Sequence, residues 1–90
     1  MNNTNLIISI LELLSFRKED SYSYYRHLRG EGWRFCYIPH TKEWHLLHWD
    51  KALRKTDIEL NSSTLYPYLK EKFTEDWNLV RNFLIEELQK

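Results

Sequence analysis

The sequence predicts a small α+β fold, in which helices cover one face of an antiparallel β-hairpin or three-strand meander. Two observations lead to this prediction. Apolar residues recur at helical spacing toward both ends of the chain, and aromatic and bulky apolar residues flank a turn-like segment at 39–42. The 90 residues contain only two glycines and two prolines, with no repeat and no linker, so residues 1–90 are expected to form a single compact domain.

The first predicted helix covers about residues 5–16. Its polar residues Ser9, Glu12 and Ser15 recur every three positions, which leaves one narrow polar stripe on an otherwise apolar cylinder. Most of the circumference must therefore be covered. We interpret this helix either as a central core helix or as a face through which two copies of the chain form a homodimer.

A second short helix is predicted over about residues 21–29. Basic residues gather near its end, where the helix dipole favours cations, and Gly30 follows as a residue suited to end a helix. Tyr22 and Tyr25 would lie on its inward face. Tyr24 would then point elsewhere.

Two strands are predicted at about 33–38 and 43–49, because both stretches are rich in aromatic and bulky apolar residues. A two-residue or a four-residue loop gives the same register, and opposed residues share a face. One face is aromatic and needs cover from helices: Trp33, Phe35, Tyr37, Trp44, Leu46 and His48. The other face is mixed and can meet water or a partner: Arg34, Cys36, Ile38, Glu43, His45 and Leu47.

Polar and apolar residues alternate over about 56–60, which predicts a short third strand. Farther on, apolar residues recur at spacings of three and four from Leu69 to Leu88, which indicates helix. The pattern fits one helix or two, at about 65–73 and 75–89. A break at Thr74 is favoured, since its hydroxyl and the two acidic residues that follow are typical of a helix start.

The charge pattern leaves nucleic-acid binding as an alternative function. Basic and acidic residues number 13 each, so the formal net charge is zero, but residues 17–55 carry nine basic and five acidic side chains. Cations neutralise phosphates, and the aromatic rings between them can stack on bases. The candidate residues are Arg17, Lys18, Arg26, Arg29, Arg34, Lys42, Lys51, Arg54 and Lys55.

Few patterns point to chemistry. Cys36 is predicted opposite His45, with Glu43 on the same face, so a minor Cys/His enzyme is a third hypothesis. No glycine-rich oxyanion or phosphate loop accompanies them, and we expect no enzymatic activity. The four histidines lack metal-ligand spacing, because His45 and His48 would point to opposite faces of a strand. No metal and no cofactor are expected.

The leading hypothesis is a non-enzymatic interaction or regulatory protein. Four Trp, six Tyr and four Phe exceed what one small core readily hides, and Tyr and Trp anchor many protein interfaces. We expect it to bind another protein through an aromatic and basic surface around the hairpin, as a phage or bacterial inhibitor, immunity or antitoxin-type module would. The candidate contact residues are Tyr24, Trp49, Tyr66, Tyr68, Arg34 and His45.

The expected location is cytoplasmic, without a membrane partner. The most apolar stretch, residues 6–14, is interrupted by Ser9 and Glu12 and is shorter than the roughly 20 residues that a membrane helix needs. The residues before it lack the basic character of a secretory signal. A single cysteine, Cys36, provides no internal disulfide and fits a reducing compartment.

Overall fold

The computed structural model describes residues 3–61 and 63–89, which form one five-stranded antiparallel sheet, three α-helices and a short 3-10 turn. The predicted α+β class is confirmed. The chain runs through α1 (Asn3–Leu13), β1 (Arg17–Asp20), β2 (Ser23–Leu28), β3 (Glu31–Ile38), β4 (Glu43–Trp49), β5 (Lys55–Ile58), α2 (Leu65–Lys72), the 3-10 turn (Thr74–Asp76) and α3 (Trp77–Leu88). The described residues divide into a sheet unit, 16–61, and a helical unit, 3–15 with 63–89.

The sheet is a simple meander in which each strand pairs with the next one along the chain. The predicted register of β3 and β4 is confirmed, since Trp33 lies opposite His48 and Phe35 lies opposite Leu46. The turn between them closes when the backbone N–H of Lys42 donates to the carbonyl of Ile38 at 2.7 Å. The predicted third strand at 56–60 is β5, which begins one residue earlier and ends two residues earlier.

The predicted helix over residues 21–29 is wrong, because Ser23–Leu28 form strand β2 between β1 and β3. Asp20 does not cap a helix; its carboxylate accepts the backbone N–H of Tyr22 at 2.8 Å and holds the turn between β1 and β2. Arg29 (φ 54°) and Gly30 (φ 83°) are both left-handed, which is the conformation of a two-residue hairpin turn. The same glycine that suits the end of a helix here reverses a strand.

One face of the sheet, the apolar face, is buried. Its most buried members are Tyr24, Trp33, Phe35 and Leu46, each 4% exposed or less. The ring of Phe35 meets that of Phe16 edge-on, with centroids 5.5 Å apart. The aromatic face predicted for the hairpin therefore lies in a core, and Phe16 and Tyr24 extend it onto neighbouring segments.

Helix α1 ends earlier than the predicted 5–16, at Leu13. Ser15 adopts a left-handed conformation (φ 64°), which stops the helix and directs Phe16 into the sheet unit. The apolar side chains of α1 are all buried or half-buried, namely Leu6, Ile7, Ile8, Ile10, Leu11 and Leu13, and Leu14 just after the helix is buried too. A homodimer through this helix stays a prediction.

The predicted break in the C-terminal helical region is confirmed. Phe73 leaves helical geometry (φ −123°, ψ 47°) between α2 and the 3-10 turn that precedes α3. The hydroxyl of Thr74 donates to the carbonyls of Lys70 and Glu71, so it satisfies the end of α2 and does not cap the start of α3. Leu69, Phe73 and Val80 are buried within this region. Over residues 3–61 and 63–89 no helix combines the length and apolar character needed to cross a bilayer.

Candidate interaction surface

The second face of the sheet, the mixed face, carries polar, charged and aromatic side chains. It is formed by alternate residues of all five strands, since side chains on a strand point to opposite sides in turn. Its members are Arg17, Glu19, Asp20, Ser23, Tyr25, His27, Gly32, Arg34, Cys36, Ile38, Glu43, His45, Leu47, Trp49, Lys55 and Asp57. Apart from Gly32, each of these residues is half-buried or exposed.

At the centre of the mixed face, Arg34 lies against two aromatic rings that also touch each other. Its guanidinium carbon is 5.6 Å from the centroid of the Tyr25 ring and 5.2 Å from that of the Trp49 ring. The rings themselves meet edge-on at 6.3 Å. The strand register produces the cluster, because Tyr25 is directly opposite Arg34 on β3 and Trp49 is opposite Gly32, two residues away. We call these three side chains the arginine–aromatic cluster.

Gly32 makes room for this cluster. A Cβ atom at position 32 would lie 2.5 Å from the hydroxyl oxygen of Tyr25 and 3.2 Å from the adjacent ring carbon. Any larger residue would therefore push the Tyr25 ring away from its place across β3. The absence of a side chain at this position is part of how the surface is built.

Glu19 fixes the orientation of Arg34. Its carboxylate accepts hydrogen bonds from Nε at 2.7 Å and from Nη2 at 3.1 Å, a side-on bidentate pair. This hydrogen bonding raises the pKa of Arg34 above its ordinary value, although partial burial opposes the shift. Two of the guanidinium donors are occupied, and the others remain available for an acceptor on another molecule.

Three of the predicted contact residues share the mixed face: Arg34, Trp49 and His45. The first two belong to the arginine–aromatic cluster. His45 lies on the neighbouring strand with its side chain 61% exposed, 3.6 Å from the carboxylate of Glu43. The predicted aromatic and basic character is thus present at one place on the sheet.

The other predicted contact residues do not join this surface. Tyr24 is 4% exposed on the apolar face, so its prediction as an exposed contact is wrong. Tyr66 and Tyr68 belong to α2 in the helical unit, where both are half-buried. Tyr25 was missed because a helical period placed it inward, whereas a strand period puts adjacent tyrosines on opposite faces.

The basic residues proposed for nucleic acid are dispersed. Arg17, Arg34 and Lys55 lie on the mixed face, while Lys18 and Arg26 occupy positions on the apolar side. The remaining four are in turns: Arg29, Lys42, Lys51 and Arg54. On the mixed face the three cations are outnumbered by four carboxylates, those of Glu19, Asp20, Glu43 and Asp57. The described strands therefore present no basic stripe.

The Cys/His arrangement has the predicted register but not the contact that catalysis needs. Cys36 lies opposite His45. The thiol sulfur contacts the hydroxyl of Ser23 at 3.7 Å, while the imidazole of His45 is directed at Glu43. A nucleophile and its base need to share a hydrogen bond. In the described part of the chain, no group of three or more His, Cys, Asp or Glu side chains is arranged to hold a metal ion.

Comparison with protein-family models, with curated proteins and with solved structures finds no match to this chain. Function therefore has to be inferred from the surface itself.

Proposed function

We propose that this chain is a small, non-enzymatic interaction protein that binds another protein through its mixed face, with the arginine–aromatic cluster at the centre of the contact. The observation that carries the proposal is Arg34, packed against the rings of Tyr25 and Trp49 and fixed by Glu19. Arg, Tyr and Trp are the residue types most enriched among the energetically dominant positions of protein interfaces. A surface fixed in this way docks by blocking or bridging its partner, as inhibitor and immunity modules do.

Preorganisation strengthens this reading of the cluster. An arginine that is free in solution loses rotamer entropy when it binds, at a cost of about 0.5–1.5 kcal/mol for a flexible side chain. Here the ion pair with Glu19 and the two adjacent rings already restrict Arg34. More of the contact energy with a partner is then retained as affinity.

Charge balance favours protein over nucleic acid as the partner. Nucleic-acid affinity comes mainly from cations that neutralise phosphates. The mixed face carries three cations and four carboxylates, and its central guanidinium is already paired with Glu19. A rim of mixed charge around an aromatic and arginine centre is the usual composition of a protein interface.

The test is retention of one partner from nuclease-treated lysate of the native host, compared across variants. Wild-type chain is expected to retain a stoichiometric protein, and Trp49→Ala and Tyr25→Ala are each expected to lower its affinity about 30-fold, as removal of a dominant contact of about 2 kcal/mol does. Affinities are measured by calorimetry on the purified partner. Circular dichroism confirms that each variant is folded.

The matched control is Tyr22→Ala. Tyr22 is a 51% exposed aromatic residue in the turn between β1 and β2, outside the cluster. Its variant is expected to bind as wild type does. Equal affinity for all three variants would overturn the assignment of this surface, and loss of retention on nuclease treatment would instead support the nucleic-acid alternative.

A further inference from the structure

Only part of the β4 edge that faces β5 is paired with it. β5 pairs with residues 46–49 of β4, and its ladder stops at the pair Leu46–Ile58. In the described chain, residues 43–45 therefore have no strand partner on that side. An unpaired strand edge presents backbone N–H and C=O groups that an added extended chain can satisfy.

A groove lies beside this uncovered edge and opens on the mixed face. Its volume is about 770 Å³. Apolar walls come from Ile38, Leu47 and Leu60, and carboxylates come from Glu43, Asp57 and Glu59. None of the described Lys or Arg side chains lines it. The imidazole of His45 also lines it, 3.6 Å from the carboxylate of Glu43. The groove is thus apolar in its walls, and carboxylates outnumber the one imidazole.

The outermost edges of the sheet differ from this one. β1 is a short strand of four exposed, charged residues, with an irregular register between Lys18 and Asp20. β5 is equally short, and its first three residues are exposed, with Lys55 and Asp57 among them. Charge, shortness and irregularity are the features by which natural sheets discourage pairing with other chains. Residues 43–45, at the start of β4, differ in keeping a regular register with β3, and only Glu43 among them carries a carboxylate.

Resting on the proposed function, we infer that the groove receives an extended segment of the protein partner, which adds to β4 along residues 43–45 and places Lys or Arg side chains among the three carboxylates. Residues 43–45 span about 10 Å, enough for one short main-chain pairing. Alternate side chains of an added strand point to one face, so cations at every second position would meet Glu43, Asp57 and Glu59. The apolar walls cover the aliphatic parts of the same side chains.

The test is a selection from a displayed library of random decapeptides, with the full chain as the target. Counter-selection uses the variant Glu43→Gln/Asp57→Asn/Glu59→Gln. Recovered sequences are expected to carry Lys or Arg at alternating positions. The commonest sequence is then made as a soluble peptide. This peptide should shift the backbone amide resonances of residues 43–45 and bind at least tenfold more weakly to the triple variant. Its affinity for the wild-type chain should fall as salt rises.

Two controls separate strand addition from simple charge attraction. The variant Glu12→Gln/Glu71→Gln/Glu86→Gln removes the same charge from exposed positions of the helical unit and should bind the peptide within twofold of wild type. N-methylation of alternate peptide amides blocks main-chain pairing and should abolish binding. Retained binding after N-methylation, recovered sequences without cations, resonance shifts elsewhere or no recovered sequence would each overturn the inference.

Failure here is distinguishable from failure of the proposed function. If partner affinity falls with Trp49→Ala but is unchanged in the triple carboxylate variant, the partner uses the arginine–aromatic cluster without entering the groove. If Trp49→Ala has no effect, the proposed surface itself is wrong.

Discussion

On the apolar face of the sheet Trp33 and Phe35 are 2% and 1% exposed, whereas on the mixed face Tyr25 and Trp49 remain half-buried around a charged guanidinium. Both faces are built from the same aromatic residue types, and Tyr24 and Tyr25 are neighbours in the chain that lie on opposite sides. An aromatic ring on this sheet thus contributes mainly to stability on one face, and is available for contact on the other. The difference is testable by substitution.

The largest effect is expected from Phe35→Ala on the apolar face. It should lower the free energy of unfolding by about 3–5 kcal/mol, because it removes a buried ring and leaves a cavity beside Phe16. Urea unfolding monitored by circular dichroism measures this. Phe35→Leu, which keeps most of the volume, allows the comparison if the alanine variant does not fold.

The matched substitution on the mixed face is Tyr25→Ala, expected to cost about 1 kcal/mol, within the range of ordinary single substitutions. Equal costs at Phe35 and Tyr25 would mean that the mixed face is as much a core as the apolar face, and the comparison would fail.

A smaller effect is expected from Gly32→Ala, which tests whether Gly32 makes room for the ring of Tyr25. A Cβ would meet the Tyr25 hydroxyl at 2.5 Å, so the ring must move. The substitution should lower the free energy of unfolding by about 0.5 kcal/mol, since overpacking slightly outweighs the roughly 0.5–1 kcal/mol that alanine contributes over glycine in a strand. The NMR resonances of the Tyr25 ring should shift in the same variant.

A double-mutant cycle tests the cause of this loss. In the Tyr25→Ala background the obstacle is gone, and Gly32→Ala should become neutral or slightly stabilising. A loss of the same size in both backgrounds would show that Gly32 is required for some reason other than the ring of Tyr25.

The smallest effect on stability is expected at the turn between β4 and β5. This turn lies on neither face of the sheet and so serves as a reference for both. Asp50 accepts the backbone N–H groups of Arg54 and Ala52 at 3.0 and 2.9 Å, and these bonds, with that from Arg54 the stronger cause, lower the pKa of Asp50 below its ordinary value of 3.8. The ionised form thus stabilises the turn. This contribution is present above pH 3.8 and is lost as the pH falls through the lower folded-state pKa.

An NMR titration checks this expectation. The Asp50 carboxyl should titrate with a midpoint below 3.8, and the amide resonances of Ala52 and Arg54 should move with the same midpoint. The amides of Tyr25 and Arg34 should not follow it. A midpoint at or above the ordinary value would contradict the hydrogen bonding described for this turn.

The central hairpin could be predicted down to its residue pairs, because loops of two and four residues give one register and the aromatic pattern has a clear period of two. Residues 17–30 could not, since Asp20 and Gly30 suit a helix cap and a helix end as well as they suit two hairpin turns. Local residue preference does not separate these structures; pairing with β3 decides between them.

The residues of the candidate surface could be predicted in the central hairpin but not in residues 17–30. Arg34 was selected because its face of the hairpin was assigned correctly, and Trp49 because neither predicted face buried it. Tyr25 was missed, and Tyr24 was misplaced, because both lie in the segment whose period was misjudged. The pairing of Glu19 with Arg34 joins β1 to β3 across fifteen residues of chain, and no spacing in the sequence indicates it.

The left-handed residues described at the chain reversals have a practical consequence. Besides Ser15 and Arg29, Lys42 (φ 59°) and Leu53 (φ 62°) also adopt this conformation, which costs about 1–2 kcal/mol for a residue with a side chain. Leu53 is 79% exposed. Glycine at position 53 would relieve that cost in a loop remote from Tyr25 and Arg34, giving a more heat-tolerant form of the protein that still displays its native docking groups.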